Sequence, residues 1–257
     1  MTESVNKPLV SVIMPAYNSS KYICDSINSV ISQTYGFENM EICIVDDKST
    51  DDTAKVIEPF LNKYTNIHYY IQEQNQGPAK ARNKAIEMAK GRFLAFLDSD
   101  DVFLNYKIEK QVEYMINCNA AFSCTDYIQV DEALNSLNKV IHCKKTCSYN
   151  DCVWYNPIGN STVMLDTQKL GKVYLPEVSN REDYAMWLYL LREKTQYALG
   201  LQQVLTKYRI VKNSFSGNKF KMIKPQYYLY RKVENFSCIR AAFHVGVWCL
   251  VKILGIK

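Results

Sequence analysis

The sequence predicts an α/β protein with a mostly parallel central sheet flanked by helices, and three observations carry that expectation. Short apolar, β-branched runs alternate with segments of helical periodicity through the first hundred residues. Polar or acidic clusters follow the ends of those runs, where ligands bind in such sheets. No linker or internal repeat interrupts the pattern before residue 204.

Residues 9–14 form a β-rich run ending at Pro15, and Ser19-Ser20 offer caps for a helix with Ile23, Ile27, Val30 and Ile31 on one face. Residues 42–45 repeat the strand and stop at Asp46-Asp47, after which residues 49–52 supply capping side chains for a helix carrying Ala54, Ile57 and Leu61. A third cycle joins a strand over 67–71 to a helix over 79–89. A fourth strand, 93–97, ends in Asp98-Ser99-Asp100-Asp101. Beyond it the pattern is less regular: a helix over 106–116, a strand over 120–130, a hairpin partner within 137–145, a turn-rich stretch at 156–160, a strand over 161–165 and a helix over 182–194. The simplest division is one domain over 1–204, in halves of 1–101 and 102–204, followed by an extension over 205–257.

Charge separates those two parts. The chain of 257 residues holds 31 Lys+Arg against 26 Asp+Glu, net +5. Residues 205–257 hold eleven basic side chains and one acid, so the first 204 residues are mildly acidic and the end is strongly basic. A chain basic throughout, as many nucleic-acid binders are, is excluded. The polar segment 1–8 shows no apolar stretch of a signal peptide, and nine cysteines, an odd number, suit a reducing compartment. A cytoplasmic location is expected.

The acids after the fourth strand carry the sharpest chemistry. Carboxylates at i and i+2 past a strand end can converge on one hard cation, and Mn²⁺ or Mg²⁺ takes oxygen ligands together with substrate phosphates. Helix capping would explain the same acids, so this motif alone does not decide. With Val102 the stretch Asp98-Ser99-Asp100-Asp101 also fits the Asp-x-Asp-x-Thr/Val signature of an aspartyl-phosphate phosphotransferase, but that class places the motif on its first strand, and no later acidic pair completes its magnesium site. A phosphate-binding P-loop motif is absent. The spacing of His142, Cys143, Cys147 and Cys152 is too irregular for a structural zinc site.

Four blocks together carry a resemblance: residues 10–18 ending Pro15-Ala16-Tyr17-Asn18, residues 44–53 around Asp46-Asp47, residues 75–83 with Gly77, Lys80 and Arg82, and residues 96–101. In this order and spacing, and with Arg181-Glu182-Asp183 further on, the chain resembles the inverting family 2 glycosyltransferases of the GT-A fold, the bacterial surface-polysaccharide and lipopolysaccharide type, over residues 8–200. The resemblance implies a Rossmann-like sheet and a nucleotide-sugar donor, a UDP-sugar. It places Pro15, Ala16, Tyr17, Asn18 and Asp47 around the nucleoside, Gly77 and either Lys80 or Arg82 near the diphosphate, and Asp98, Ser99 and Asp100 at the ribose and metal, with Asp100 and Asp98 as metal ligands. It makes Asp183 the base that deprotonates the acceptor hydroxyl, though an acid there also suits a helix N-terminus. The acceptor it implies is a glycan or lipid-linked glycan.

The extension interleaves Lys and Arg with Tyr208, Phe215, Phe220, Tyr227, Tyr228 and Tyr230, then runs through residues 241–251 with His244 the only polar side chain. Eleven residues fall short of the ~20 needed to span a bilayer and suit an interfacial helix on an anionic membrane face. Packing of that helix on the domain is the competing expectation. Trp154, Tyr155 and Trp187 are candidates to stack on an acceptor sugar, and His68 and His244 are expected to be structural. No nucleic-acid partner is expected.

Overall fold

In the computed structural model, which describes residues 7–176, 178, 181–211 and 222–253 apart from the side chains of 252 and 253, the three strand–helix cycles and the fourth strand build one end of a single sheet. They are β1 (Val10–Ala16), β2 (Met40–Asp46), β3 (Ile67–Ile71) and β4 (Phe93–Phe96), with α1 (Ile23–Ile31), α2 (Thr53–Lys63) and α3 (Pro78–Met88) between them. The second half adds β5 (Val102–Phe103), α4 (Lys107–Asn117), β6 (Phe122–Val130), β7 (Ser136–Ile141), β8 (Thr146–Cys147), α5 (Tyr149–Trp154), β9 (Met164–Asp166) and α6 (Thr167–Leu170). It closes with α7 (Glu182–Glu193), β10 (Ala198–Arg209), α8 (Ile223–Tyr228) and α9 (Cys238–Ile253).

The sheet order is β3, β2, β1, β4, β9, β6, β10, β5, with β7 beside β6 and β8 beside β10. β3, β2, β1 and β4 are mutually parallel, so their carboxyl ends line up on one edge. β9 then runs antiparallel to both β4 and β6. Both faces of the sheet are covered, and side-chain alternation splits the core. Val12, Met14 and Ala95 pack with Ile23, Ile27, Ile108 and Val112 on one face; Ile13, Leu94 and Phe96 pack with Ala85, Trp187 and Leu188 on the other.

Several expectations shift. Ser19 and Ser20 do not cap α1, which starts at Ile23; the Ser19 hydroxyl lies 2.7 Å from that of Ser99. The strand expected over 161–165 is a helical turn at Asn160–Thr162 followed by β9. Trp187 is fully buried, edge-on to Phe96 at 5.6 Å, and so is removed from any acceptor. Trp154 stacks on His244 at 4.4 Å. All nine cysteines are free, and His142 Nδ1 lies 2.8 Å from Asp126.

The division at residue 204 meets the middle of β10, whose Thr206 and Lys207 pair with β5 and whose length pairs with β6. The described part of the extension is therefore tied into the domain. Leu229, Tyr230, Phe236 and Ala241 belong to the same apolar cluster as Trp187. α9 is apolar on two opposed sides: Ala241, His244 and Trp248 are buried, whereas Ile239, Phe243 and Leu250 are 85%, 61% and 57% exposed. The tail residues Lys212, Phe215, Lys219, Phe220, Lys221 and Lys257 lie outside the described residues. No helix among the described residues is long and apolar enough to cross a membrane.

One buried charge lies away from this edge. Lys107 is fully buried on α4, its Nζ over the Phe103 ring at 4.1 Å and without a hydrogen-bond partner. Burial pushes its pKa down to about 7.

Candidate active site

The carboxyl ends of the parallel strands bring the sequence blocks together. Pro15 and Ala16 are still in β1, paired with Val45 and Asp46 of β2. Tyr17 then turns out to solvent, half exposed. Asn18 takes a left-handed conformation at φ 48, which its short polar side chain tolerates. Its Oδ1 accepts from the Thr50 backbone at 2.8 Å and its own N–H donates to Ser49 Oγ at 2.9 Å, so the β1 and β2 loops brace each other.

Asp47 is buried, and the chain itself supplies donors to its carboxylate. Oδ1 accepts from Gln76 N at 2.8 Å and from the Gln72 side chain; Oδ2 accepts from Gly77 N at 2.7 Å. Gly77 is needed there because its φ of 87 and ψ of 166 lie in a region closed to residues with a Cβ. Asp46 is likewise held, by Ser49 N and the Tyr69 hydroxyl.

The cluster after β4 is built differently. Asp98 Oδ1 accepts from Arg82 Nη2 at 2.6 Å and Asn160 Nδ2 at 2.8 Å. Asp101 is deeply buried, accepting from Ser161 Oγ and from Arg209 N at 2.9 Å, and burial with the charges of Asp100 and Asp98 raises its pKa well above the carboxylate range. Asp100 lies between them, and no other described residue donates a hydrogen bond to its carboxylate. Burial, then the charge of Asp98, pushes its pKa up to about 6. Ser99 faces Ser19 and helps hold this loop to β1.

A carboxylate placed beside two others, with no ion pair of its own among the described residues, fits a divalent metal. Among the described residues no group of three or more His, Cys, Asp and Glu side chains gathers for one. Asp98 and Asp100 could hold Mn²⁺ or Mg²⁺ only with a diphosphate and water completing the shell, the arrangement these cations favour. Asp100 offers both oxygens and Asp98 offers Oδ2.

Arg82 connects this loop to α7. Its Nη1 reaches Glu182 Oε1 at 3.2 Å while Nη2 holds Asp98, and its side chain is nearly buried. Burial opposes its charge, but Asp98 and Glu182 outweigh that, and its pKa is raised. Lys80, two residues earlier, instead lines a hollow of about 400 Å³ with Tyr70, Gln72, Asn83 and Tyr174. Asp183 is in the first turn of α7, next to Glu182, and no described residue donates a hydrogen bond to its carboxylate.

Sequence reasoning missed Arg209. Its Nε donates to Asp100 O at 2.7 Å, its Nη2 to Asp25 Oδ2 at 2.8 Å and its Nη1 to Glu132 O, bracing the acidic loop from the far end of β10. Asn160 and Ser161 were missed likewise. The turn-rich stretch around them was the only local signal.

Comparison with known proteins gives the family and the fold. The family model "Glycosyl transferase family 2" matches residues 11–177. The chain is 41% identical to the putative teichuronic acid biosynthesis glycosyltransferase TuaG of Bacillus subtilis (strain 168), over 96% of this chain and 94% of that protein. It is 37% identical to the Escherichia coli UDP-Glc:alpha-D-GlcNAc-diphosphoundecaprenol beta-1,3-glucosyltransferase WfgD, over 85% of this chain and 84% of that one. Among solved structures, S. aureus TarS in complex with UDP superposes with a TM-score of 0.69 at 21% identity, covering 92% of this chain and 69% of that chain. The mannosyltransferase PcManGT from Pyrobaculum calidifontis, in complex with GDP-Man and Mn2+, gives 0.68 at 15% identity, covering 93% and 70%. Strand-end loops carrying Asp47, Asp98 and Asp100, a helix presenting Asp183, and a family match over most of the chain lead to one conclusion: this is a glycosyltransferase with the GT-A fold, belonging to glycosyl transferase family 2.

Proposed function

We propose that the chain transfers a sugar from a UDP-sugar, with Mn²⁺ or Mg²⁺, to a hydroxyl of a lipid-linked glycan in the synthesis of a cell-surface polysaccharide, inverting the anomeric carbon. The observation that carries this reading is a pair of partially buried carboxylates, Asp100 and Asp183, that take no hydrogen bond from another described residue, on elements tied together by Arg82. Donor and acceptor of such a transfer need one carboxylate each.

Asp47 closes the nucleoside end, where a carboxylate already oriented by backbone N–H groups can still accept from a uracil imide. Asp98 and Asp100 would hold the metal, which supplies positive charge to the diphosphate as the sugar departs. Arg82 keeps Asp98 fixed against Glu182, so the donor loop and the helix bearing the base hold their relative position. Asp183 takes the proton of the acceptor hydroxyl as its oxygen bonds the anomeric carbon and the bond from that carbon to the diphosphate breaks. One base with no second nucleophilic carboxylate means one displacement, and so inversion.

The names of relatives support the finer points. WfgD uses UDP-Glc and a diphosphoundecaprenol-linked sugar, TarS binds UDP and UDP-GlcNAc, and PcManGT binds Mn2+. The exposed face of α9 supports a peripheral contact with the anionic cytoplasmic leaflet. Ile239, Phe243 and Leu250 fall on one stripe, and a hollow of about 520 Å³ beside them is lined by Lys224, Tyr227, Tyr228, Arg231 and Lys232.

A donor screen reading nucleotide release with Mn²⁺ or Mg²⁺ tests the enzyme reading: wild type turns over a UDP-sugar, and Asp100→Ala and Asp183→Asn do not. Full activity in both variants would remove it, and an α-linked product from an α-linked donor would remove inversion. Flotation with vesicles containing anionic lipid tests the contact. The double variant Phe243→Glu, Leu250→Glu should stay unbound where wild type floats; equal flotation of both rules out this face. Deleting residues 236–257 is a poor test, because it also strips Phe236, Ala241 and Trp248 from the core.

A further inference from the structure

Arg181, immediately before the catalytic helix, is a partly buried cation. Its Nε and Nη2 are both buried and make no hydrogen bond among the described residues. Among the described residues it forms no ion pair, although Asp183 lies near enough to be the foremost charge favouring its protonated form. Burial alone outweighs that and lowers its pKa. Its guanidinium lies over the ring of Trp248, 5.1 Å from the centroid, and Trp248 is itself buried on α9.

A guanidinium taken out of water with donors left unsatisfied is costly to keep unless a ligand completes it. Its planar fork suits a phosphate group, which it binds through two parallel N–H bonds. Position then selects which phosphate. Arg82 is already taken by Asp98 of the donor loop and by Glu182, whereas Arg181 is two residues from the base that must meet the acceptor hydroxyl. It is also propped by the helix whose opposite face carries the exposed Ile239, Phe243 and Leu250.

We propose that Arg181, held by Trp248, binds the diphosphate of the acceptor, so that the receiving sugar is the one attached directly to that diphosphate. This rests on the glycosyltransferase reading above and names the substrate class of its acceptor side. The same contact explains why a basic tail is built into the catalytic domain: α9 offers one face to the surroundings and uses the other to hold the residue that reads the acceptor's charge.

The test compares wild type, Arg181→Gln, Arg181→Lys and Trp248→Ala on two acceptors: a short-chain prenyl-diphosphate sugar and a neutral alkyl glycoside of the same sugar. Arg181→Gln should raise KM for the diphosphate acceptor about tenfold or more, as expected for losing charge-assisted hydrogen bonds. KM for the donor should stay within about twofold, and the preference for the diphosphate acceptor over the neutral one should collapse. Arg181→Lys should recover part of the loss, and Trp248→Ala should show the same pattern more weakly. A rise in donor KM would assign Arg181 to the donor diphosphate and overturn the proposal. An equal loss on both acceptors would make its role structural, and a shifted pH profile of kcat with unchanged acceptor KM would make it a partner of Asp183; either overturns it. Inorganic pyrophosphate, without metal, gives a readout independent of turnover. It should raise the Tm of wild type and not of Arg181→Gln, and an equal rise in both refutes the site even if no sugar nucleotide is ever turned over.

Discussion

An acidic pair and an acidic trio follow two parallel strands of the same sheet, and the fold treats the two clusters differently. At the end of β2, Asp46 and Asp47 are fully engaged by Ser49, Tyr69, Gln72, Gln76 and Gly77, so their charges hold the loops that shape the nucleoside end. At the end of β4, Asp98, Asp100 and Asp101 crowd together with Arg82 and Arg209 as brackets, and Asp100 is left with a raised pKa and no donor from another described residue. The lesson is that carboxylates at a strand end are not one signal. Asp46, Asp47, Asp98 and Asp101 each take at least two donors from the chain, and Asp100 stands apart because it takes none from another described residue.

Four measurements would break or sharpen that contrast. Asp183→Asn, which keeps shape and removes the base, should lower kcat by about 10²–10⁴-fold with Tm unchanged; near-normal kcat would return this acid to a helix-end role. Asp100→Ala should reduce kcat/KM on the order of 10²–10³-fold, as for lost electrostatic stabilisation of a departing group, while Tm stays level or rises. Asp47→Ala should do the reverse in stability. It strands two backbone N–H groups and an amide, costing about 3 kcal/mol, or roughly 6–12 °C in Tm by calorimetry. If Asp47→Ala melts like wild type, the two clusters are alike and the contrast fails.

A buried charge outside both clusters serves as a control. Lys107 has its folded pKa lowered from 10.5 to about 7, so it is kept neutral in the native state above pH 7 while the unfolded chain still binds the proton. The unfolded state therefore holds more protons between pH 7 and 10.5, and stability rises with pH across that window. Lys107→Met should raise stability at pH 7 by on the order of a few kcal/mol, with the gain over wild type shrinking as pH climbs toward 10. A gain that does not depend on pH would mean that packing, not charge, is responsible.

The parallel half of the fold was legible because each of its strands is a continuous β-branched run followed by a local polar signal, as at Pro15 to Asn18 and Asp98 to Asp101. The acids were legible for the same reason. Their restraints were not: Arg82 meets Glu182 one hundred residues away, and Arg209 meets Asp101 across 108. A cation at such a distance looks in the sequence like any surface charge, which is how Arg209 came to be counted with a basic tail. The tail itself was hard to read because α9 is apolar on opposite faces, and apolarity says that a face is covered without saying by what.

Arg209 also sets an order of events. As the ribosome releases the chain, the strands β1 to β4 and the acids after them emerge first, yet Asp101 has neither its Arg209 amide nor the β5–β10 pairing until some hundred further residues have followed. Contacts so distant in sequence close late and slowly. Until then the loop that would grip a sugar nucleotide lacks this anchor, so a nascent or truncated chain ending before β10 would keep the binding motifs without their full bracing. β10, the last described strand, thus completes the bracing of a loop that the first half of the chain supplies.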